Sequence, residues 1–235
     1  MIRYERYAIY YAPKNDSLLG RFGNAWLGWN PETKRSAPRP KVIGLSSDDI
    51  ERVTTSPARY GFHGTLKPPF KLAKDKTFEG LTLAIEDLCD TLKPVRGAPL
   101  SLQVIGGFLA FTPRDSKMAI SALADQCVWK LDSFRSAPSA DELARRRQDG
   151  LSERQEALLL KWGYPYVMDE FRFHLTLSNK LSGERLKHVH QCLETASEHL
   201  LLSPFEINDL CLFGDPGHNR PFHLIRRFSL KAKNT

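Results

Sequence analysis

The stretches RYGFHGTL (residues 59–66) and FRFHLTLS (residues 171–178) share a pattern in which apolar or small residues alternate with polar ones around a histidine. Successive side chains of a β-strand point to opposite faces of the sheet, so this alternation predicts two strands that each have one apolar and one polar face. The apolar face anchors each strand in a core. The polar face presents His63 in the first copy and His174 in the second, each with a threonine two residues later.

The polar faces predicted in this way hold the chemically useful side chains of both strands. They consist of His63, Thr65 and Lys67 in the first strand, and of Arg172, His174, Thr176 and Ser178 in the second. A matched pair of motifs indicates function more strongly than one strand histidine, which is more often structural.

The order of the predicted elements after the two motifs is also similar. A segment with helical periodicity follows each motif, at residues 78–92 and 182–201, and a pair of strands around a turn comes next, at residues 98–113 and 205–230. Sequence identity between the two halves is confined to the motifs. The repeat predicts an internal duplication, with a strand, a motif strand, a helix and a strand pair in each half.

If the two halves pack as pseudo-symmetric lobes, the two histidines can face each other across a cleft. An α+β fold of this kind, in which each lobe has an antiparallel sheet lining the central cleft and helices outside, is what the family resemblance described below implies. The 235 residues are expected to form a single bilobal domain. Its motif halves are placed at about residues 1–112 and 113–235, and strands are left free to exchange between the lobes.

Composition limits the classes of function. Hydrophobic residues make up 41% and charged residues 26% of the sequence, which is ordinary for a folded protein. No apolar run is long enough to cross a bilayer, the N-terminus lacks a signal-peptide pattern, and the four cysteines are widely separated. These features predict a cytoplasmic protein with reduced thiols and no membrane contact. The net charge of +7 favours anionic partners without choosing among them.

Two histidines that face each other across a cleft suit the chemistry of phosphodiesters. A neutral imidazole can take a proton from the attacking water, and an imidazolium can protonate the leaving oxygen, because the ordinary pKa of histidine lies near neutrality. The hydroxyls of Thr65 and Thr176 would donate hydrogen bonds to the phosphate oxygens. No carboxylate or cysteine accompanies the two histidines at ligand spacing, so we expect neither a metal nor another cofactor.

The motifs His63-Gly-Thr65-Leu66 and His174-Leu-Thr176-Leu177 resemble the paired H-x-[T/S]-x signatures of the two-histidine, LigT-like phosphoesterase superfamily. Their context resembles the branch of that superfamily that is encoded with bacterial phosphonate-degradation genes. The resemblance extends over nearly the whole chain. It implies a bilobal α+β fold, hydrolysis of cyclic or linear phosphoesters without metal, His63 and His174 as catalytic residues, and Thr65 and Thr176 as substrate-binding residues.

Further side chains are candidates for substrate binding. Lys67 and Arg172 share the polar faces of the motif strands, Tyr60 precedes His63 by three residues, and Arg145 and Arg146 belong to an arginine run that would suit a second phosphate. Each also has a structural explanation. Lysine and arginine extend from strand ends into solvent, arginine runs on helices are usually solvated, and Tyr60 needs a bulge or strand end to reach the cleft.

The motifs thus predict a metal-independent phosphoesterase that acts as a monomer on a small phosphorylated substrate. The resemblance implies that this substrate is a cyclic phosphodiester of a sugar phosphate or nucleotide made during phosphonate breakdown. One alternative is an RNA 2′,3′-cyclic or 2′-5′ phosphodiesterase, which the basic charge favours and for which Trp26 and Trp29 are candidate stacking residues. Another is a non-catalytic partner that binds a phosphate or nucleotide within a phosphonate-processing complex. The sequence does not tell which histidine is the acid and which is the base.

Overall fold

The computed structural model describes residues 3–115, 117–148 and 150–232. An antiparallel seven-stranded sheet forms its centre, in the order β11-β10-β1-β4-β8-β7-β6. The strands of this sheet are β1 (Arg6–Tyr11), β4 (Gly64–Phe70), β6 (Leu100–Ile105), β7 (Phe108–Pro113), β8 (Leu175–Thr176), β10 (Asp209–Asp215) and β11 (His223–Ser229). Two small sheets pair β2 (Trp29–Asn30) with β3 (Arg35–Ser36), and β5 (Val95–Gly97) with β9 (Phe205–Ile207).

The helices begin at capping residues that the sequence supplies. Ser46, Ser139 and Ser152 each form a reciprocal capping box with the residue three positions later, which satisfies amides that have no partner inside the helix. The helices are α1 (Leu18–Leu27), α2 (Ser47–Ala58), α3 (Phe78–Thr91), α4 (Lys117–Lys130), α5 (Ala140–Arg147), α6 (Glu153–Trp162) and α7 (Gly183–Ser197).

The main core fills one face of the sheet. Apolar side chains of helices α1, α2, α3, α4 and α7 pack there against alternate residues of the strands, such as Ile9, Leu66 and Leu175, and removal of this apolar surface from water stabilises the fold. A second, smaller cluster lies among the intervening residues of the strands and the chain before β11. It consists of Ala8, Tyr10, Ala12, Cys211, Phe213, Phe222 and Leu224.

The two halves of the sheet meet between β4 and β8, the strands that carry the histidine motifs. These two strands pair through Gly64 and Leu175, so the two half-sheets form one continuous sheet across a narrow junction. The predicted α+β architecture, with antiparallel strands and helices outside, is confirmed. The two predicted sheets are joined edge to edge at this junction.

Strands also exchange between the halves of the sequence. β10 and β11, which follow the second motif, lie on the β4 side of the junction, where β1 separates them from β4. β6 and β7, which follow the first motif, lie on the β8 side, with β7 directly beside β8. Each half of the sheet therefore contains the strand pair that follows the other motif. The halves of the sheet consequently do not coincide with sequence halves divided near residue 112.

The second motif strand is shorter than predicted. Alternation of burial holds over residues 171–177, but only Leu175 and Thr176 form sheet pairs. A 3-10 helix at Met168–Glu170 lies immediately before this segment. The four cysteines have free thiols, as the sequence predicted.

Candidate functional site

The register at the junction brings the two motifs together. Gly64 pairs with Leu175 in antiparallel orientation. The residues on either side of Gly64 therefore lie opposite the residues on either side of Leu175, and these neighbours are the polar residues of the two motifs. Diagonal neighbours in such an arrangement lie roughly 7–8 Å apart, which is within reach of one phosphate group. The aligned pairs are His63 with Thr176, and Thr65 with His174.

His63 is held in one orientation on this face. Its Nδ1 lies 2.9 Å from the carbonyl oxygen of Gly61, and its Nε2 lies 3.2 Å from the hydroxyl of Thr65. A carbonyl oxygen only accepts, so Nδ1 carries the proton and Nε2 of the neutral ring accepts from Thr65. The ring of Tyr10 stacks on the imidazole at a centroid distance of 3.8 Å. Both ring nitrogens and one ring face are therefore engaged.

Burial lowers the pKa of His63 to about 4. The hydrogen bond to Gly61 opposes this shift, and the charge of His174 adds to it. We expect such an electrostatic effect because the register brings the two imidazoles close together. The neutral form of His63 therefore dominates at neutral pH.

His174 has the same tautomer in a different setting. Its Nδ1 donates to the carbonyl of Arg172 at 2.7 Å, so Nε2 is left as the acceptor. The ring of Phe108 lies 5.5 Å away in a tilted orientation. Burial lowers the pKa of His174, and the hydrogen bond to Arg172 opposes this effect. In both motifs, a backbone carbonyl two residues earlier thus fixes the imidazole.

The prediction that Lys67 shares a face with His63 and Thr65 is wrong. Tyr10 pairs with Thr65 but its neighbour Ile9 pairs with Lys67, so a bulge after Thr65 turns Lys67 to the face of the main core. Lys67 is 2% exposed there.

The ammonium of Lys67 is already engaged at this place. It donates to the carbonyl of Val128 at 3.1 Å and lies 3.5 Å from a carboxylate oxygen of Asp132. Burial lowers its pKa to about 8, although Asp132 opposes the shift. These contacts give no support to a substrate-binding role for Lys67.

The other predicted binding residues lie in two different places. Tyr60 is near the histidines, since its ring centroid is 6.3 Å from that of His63, and it lines a cavity together with Arg145 and Arg146. Arg172 is exposed and lines a separate cavity beside β6, with Ser101 among its neighbours. The structure therefore groups Tyr60 and the two arginines with His63, and it places the side chain of Arg172 elsewhere.

The tryptophans predicted as candidate stacking residues are held by the fold. Trp26 is fully buried, and its indole N–H donates to the carbonyl of Leu177. Trp29 is half-buried, and its N–H donates to the carbonyl of Phe222. Trp26 has no free face on which a base could stack.

Sequence reasoning missed three residues next to the site. Tyr10 lies in a strand with several aromatic residues, and nothing in the sequence distinguishes the one that stacks on His63. Arg59 directly precedes Tyr60 within the first motif stretch, which was a usable signal. Arg6 is distant in sequence and reaches the same region only through the pairing of β1 with β10.

Across the described ranges, no group of three His, Cys, Asp or Glu side chains has the arrangement of a metal site. Within the same ranges, no helix has the length and apolar character needed to cross a bilayer.

The solved structures that this chain resembles include two that overlap nearly its whole length. One is described as a phosphoesterase, with 10% identity and a TM-score of 0.43 over 98% of this chain and 100% of that chain. The other is LigT of E. coli in complex with 3′-AMP, with 12% identity and a TM-score of 0.42 over 98% and 100% of the two chains. The superfamily that the motifs resemble is named after LigT. Matches with TM-scores this low do not indicate an activity.

Two curated proteins match at higher identity. Both are named ribose 1,5-bisphosphate phosphokinase PhnN. The protein of Janthinobacterium sp. (strain Marseille) is 31% identical over 221 residues, which cover 92% of this chain and 49% of that protein. The protein of Laribacter hongkongensis (strain HLHK9) is 32% identical over 224 residues, which cover 94% and 51%. The chain thus spans about half the length of these relatives.

A family model matches residues 65–223, a range that begins at the threonine of the first motif and includes the whole of the second motif. That match spans more than half of the chain, and both strands of the junction enter it. The chain accordingly belongs to the family of proteins of unknown function DUF1045.

Proposed function

We propose that this protein is a phosphoesterase that hydrolyses a phosphodiester, most simply a cyclic phosphate of a sugar phosphate or nucleotide, by general acid–base catalysis with His63 and His174. The observation that carries the proposal is the pairing of Gly64 with Leu175, which aligns the two motifs on one face of the sheet. Two imidazoles in the same tautomer, each with a hydroxyl from the opposite motif beside it, form a site for one phosphorus centre.

The reaction follows from these groups. Nε2 of one neutral imidazole takes a proton from water as the water oxygen bonds to phosphorus, and the other imidazolium gives its proton to the ester oxygen as the P–O bond breaks. Each proton transfer is worth about 10²- to 10⁴-fold in rate. In the free protein the hydroxyl of Thr65 donates to Nε2 of His63. On substrate binding Thr65 turns to the phosphate, which frees Nε2 of His63 to take the proton of the water. Thr65 and Thr176 then donate hydrogen bonds to the phosphate oxygens, on which charge builds up in the transition state.

The environments of the two rings suggest which histidine is the base and which is the acid. The pKa of His63 is lowered to about 4, so this ring is neutral and ready to act as the base. Nε2 of His174 has no protein partner in the described part of the chain and is the freer position for a proton. The negative charge of a bound phosphate raises the pKa of an adjacent imidazole, which favours the imidazolium that the acid requires. We assign His63 as base and His174 as acid.

The substrate class draws on two likenesses. The superfamily branch that the motifs resemble is encoded with phosphonate-degradation genes, and the curated relatives are named for a phosphorylated ribose. Their named kinase activity is not carried over, because no glycine in this chain is followed by lysine and the phosphate-binding loop motif G-x-x-x-x-G-K-[ST] is therefore absent. A cyclic phosphate of a pentose is a substrate that agrees with both similarities.

The test is a screen of cyclic phosphates, including ribose 1,2-cyclic and nucleoside 2′,3′-cyclic phosphates, with EDTA present. We expect turnover in EDTA, and a loss of roughly 10²-fold or more in His63→Ala and in His174→Ala. His199→Ala is the matched control, because His199 is exposed, follows α7 along the chain and belongs to neither motif. Near-normal rates in either motif variant, or loss of activity on chelation, would contradict the proposal.

The screen also separates the alternatives. An RNA-directed enzyme would prefer oligonucleotides with 2′,3′-cyclic ends, and its affinity would fall steeply with salt as counterions are released. A binding partner without catalysis would bind cyclic phosphates and leave them intact.

A further inference from the structure

A basic cavity of about 300 Å³ is lined by Tyr60, whose ring centroid lies 6.3 Å from that of His63. It is enclosed by the start of β1, the segment that leads into β4, and helices α5 and α6. Its lining includes one carboxylate, Glu142, and six basic residues, which are Arg6, Arg59, Lys71, Arg135, Arg145 and Arg146. Arg6 is paired with Asp215, Arg135 with Asp132, and Lys71 lies 4.0 Å from Glu142. The charge that an anion would meet in the cavity is therefore mainly that of Arg59, Arg145 and Arg146.

One nitrogen of Arg59, Nε, is buried and has no hydrogen-bond partner in the described part of the chain. A buried N–H without a partner is unfavourable, and more so in a charged group, so this atom calls for an explanation, of which a bound anion is one. Asp215 does not neutralise Arg59 fully, because this single buried carboxylate also accepts from Arg6 and lies 3.5 Å from Arg59. One negative charge therefore serves two guanidinium groups.

The arginines of α5 add charge that the protein leaves largely uncompensated. Arg145 makes no ion pair or hydrogen bond within the residues described. The guanidinium of Arg146 lies 4.5 Å over the ring of Tyr164, which orients it without cancelling its charge. Arg147, the next residue of the run, instead forms an ion pair with Glu156 and does not line the cavity. Helix geometry thus divides the run between the cavity and the surface.

Tyr60 connects the cavity with the catalytic face. It lines the cavity, and its ring centroid lies 6.3 Å from that of His63 and 5.1 Å from that of Phe222. Arg59 and Tyr60 belong to the same short segment as His63. The ring of Tyr60 therefore separates His63 from the cavity, and the width of this ring is comparable with that of a sugar ring.

We propose that this cavity binds a second phosphate group of the substrate, so that the substrate is a cyclic or linear phosphodiester that also carries a terminal phosphomonoester. The proposal rests on the proposed function for the role of the histidines. Arg59 and Arg146 are expected to bind the phosphomonoester, because guanidinium groups donate paired hydrogen bonds to phosphate oxygens. Tyr60 separates the two phosphate positions and packs against the sugar between them.

The experiment compares two substrates that differ in this group alone, adenosine 2′,3′-cyclic phosphate and its 5′-phosphorylated form. We expect kcat/KM to be roughly 10- to 100-fold higher for the phosphorylated form, since hydrogen bonds to a charged group contribute about 1.5–3 kcal/mol. Arg59→Gln and Arg146→Gln should each remove most of this preference. Arg147→Gln has the same change in charge on the same helix and should keep the preference.

Equal kcat/KM values for the two substrates, unaffected by Arg59→Gln, would overturn the proposal. Inorganic phosphate distinguishes a substrate group from a free anion. If it competes with the phosphorylated substrate and leaves the unphosphorylated one unaffected, the cavity binds a substrate group. If it changes the rates of both substrates equally and this effect is lost in Arg59→Gln, the cavity binds a regulatory anion, which overturns the substrate assignment.

Failure of the proposed function leaves a separate test. If no cyclic phosphate is hydrolysed, ribose 5-phosphate and ribose are titrated calorimetrically into the wild-type protein and into Arg59→Gln. Binding of ribose 5-phosphate alone, weakened in Arg59→Gln and retained in Arg147→Gln, supports the cavity as a phosphate site. Absence of binding to the wild-type protein overturns it.

Discussion

Each catalytic candidate is fixed by a contact that the chain makes with itself. In both motifs, Nδ1 of the histidine donates to the carbonyl oxygen of the residue two positions earlier, Gly61 in the first and Arg172 in the second. This hydrogen bond selects the tautomer with a free lone pair on Nε2, as an orienting partner does for histidines in catalytic sites generally. The orientation therefore arises locally, from backbone groups adjacent to each motif.

The pH profile of activity follows from the lowered pKa values of both rings. In the free protein, the base titrates near 4 and the acid titrates below its ordinary value of 6.5. The rate constant kcat/KM requires His63 neutral and His174 protonated, so we expect a bell whose two limbs lie in the acidic range. Steady-state rates from pH 3.5 to 9 measure it. A maximum at or above pH 8 would contradict the assignment.

Bound substrate should shift the profile of kcat. The phosphate anion favours the protonated form of the adjacent ring, so the alkaline limb of kcat should lie at higher pH than that of kcat/KM. The same rate data, taken at saturating substrate, provide the comparison. Coincident limbs would mean that the phosphate does not lie beside the acid.

At the scale of the elements, the junction between β4 and β8 is the most sensitive feature of the sheet. Gly64 pairs with Leu175 there and packs against the ring of Phe173. A Cβ at residue 64 would lie 2.3 Å from Cζ of Phe173, far closer than van der Waals contact. Glycine is required at this position because the ring occupies the place of a side chain.

We expect Gly64→Ala to destabilise the protein by about 1–3 kcal/mol, the usual cost of overpacking a core, and to lower turnover by moving the two motifs apart. Chemical denaturation and the rate with the best cyclic phosphate measure the two effects. Phe173→Leu in the same chain should restore part of both, because it removes the atoms that clash.

Gly80→Ala is the matched control for this prediction. Gly80 lies in the helix α3, where a Cβ would meet no atom closer than 3.3 Å and alanine is favoured over glycine. Stability should rise slightly and turnover should stay unchanged. If Gly64→Ala behaved like Gly80→Ala, the junction would not hold the motifs in register.

The bulge opposite Ile9 and Tyr10 is the second element that shapes the site. It directs Lys67 to the core face, where its ammonium meets the carbonyl of Val128 near the end of α4 and the side chain of Asp132. Lys67 therefore joins α4 to β4 in place of lining the cleft. A regular strand would have kept it beside Thr65.

For the whole molecule, the buried histidines make stability depend on pH. Unfolding returns His63 from a pKa of about 4 to the ordinary value of 6.5, so the unfolded chain binds more protons between these values. The free energy of unfolding is therefore highest above pH 6.5 and falls as the pH decreases towards 4. The contribution of this one residue is on the order of 2–3 kcal/mol.

Denaturant unfolding of wild type and His63→Gln at pH 7 and pH 4.5 tests this linkage. The wild type should lose more stability between the two pH values than the variant, whose side chain does not titrate. The comparison cancels the contribution of carboxylates, which both proteins share. An equal loss in both proteins would show that His63 has an ordinary pKa.

What the sequence by itself determined is the local chemistry of each segment. The period-two alternation around His63 and His174 and the helical periodicity at residues 78–92 and 182–201 act over a few residues. These short-range features correctly predicted the helices α3 and α7 and the strand pairs that follow them. Alternation also correctly predicted which residues of the motif at 171–177 are buried.

Only the tertiary structure decided which segments lie side by side. The pairing of Gly64 with Leu175, the exchange of strand pairs between the halves and the approach of Arg6 to Arg59 around Asp215 join residues that are distant along the chain. The same holds for the bulge that removes Lys67 from the cleft. Such contacts depend on the packing of whole faces against one another, and alternation within one strand contains no information about its neighbour or its register.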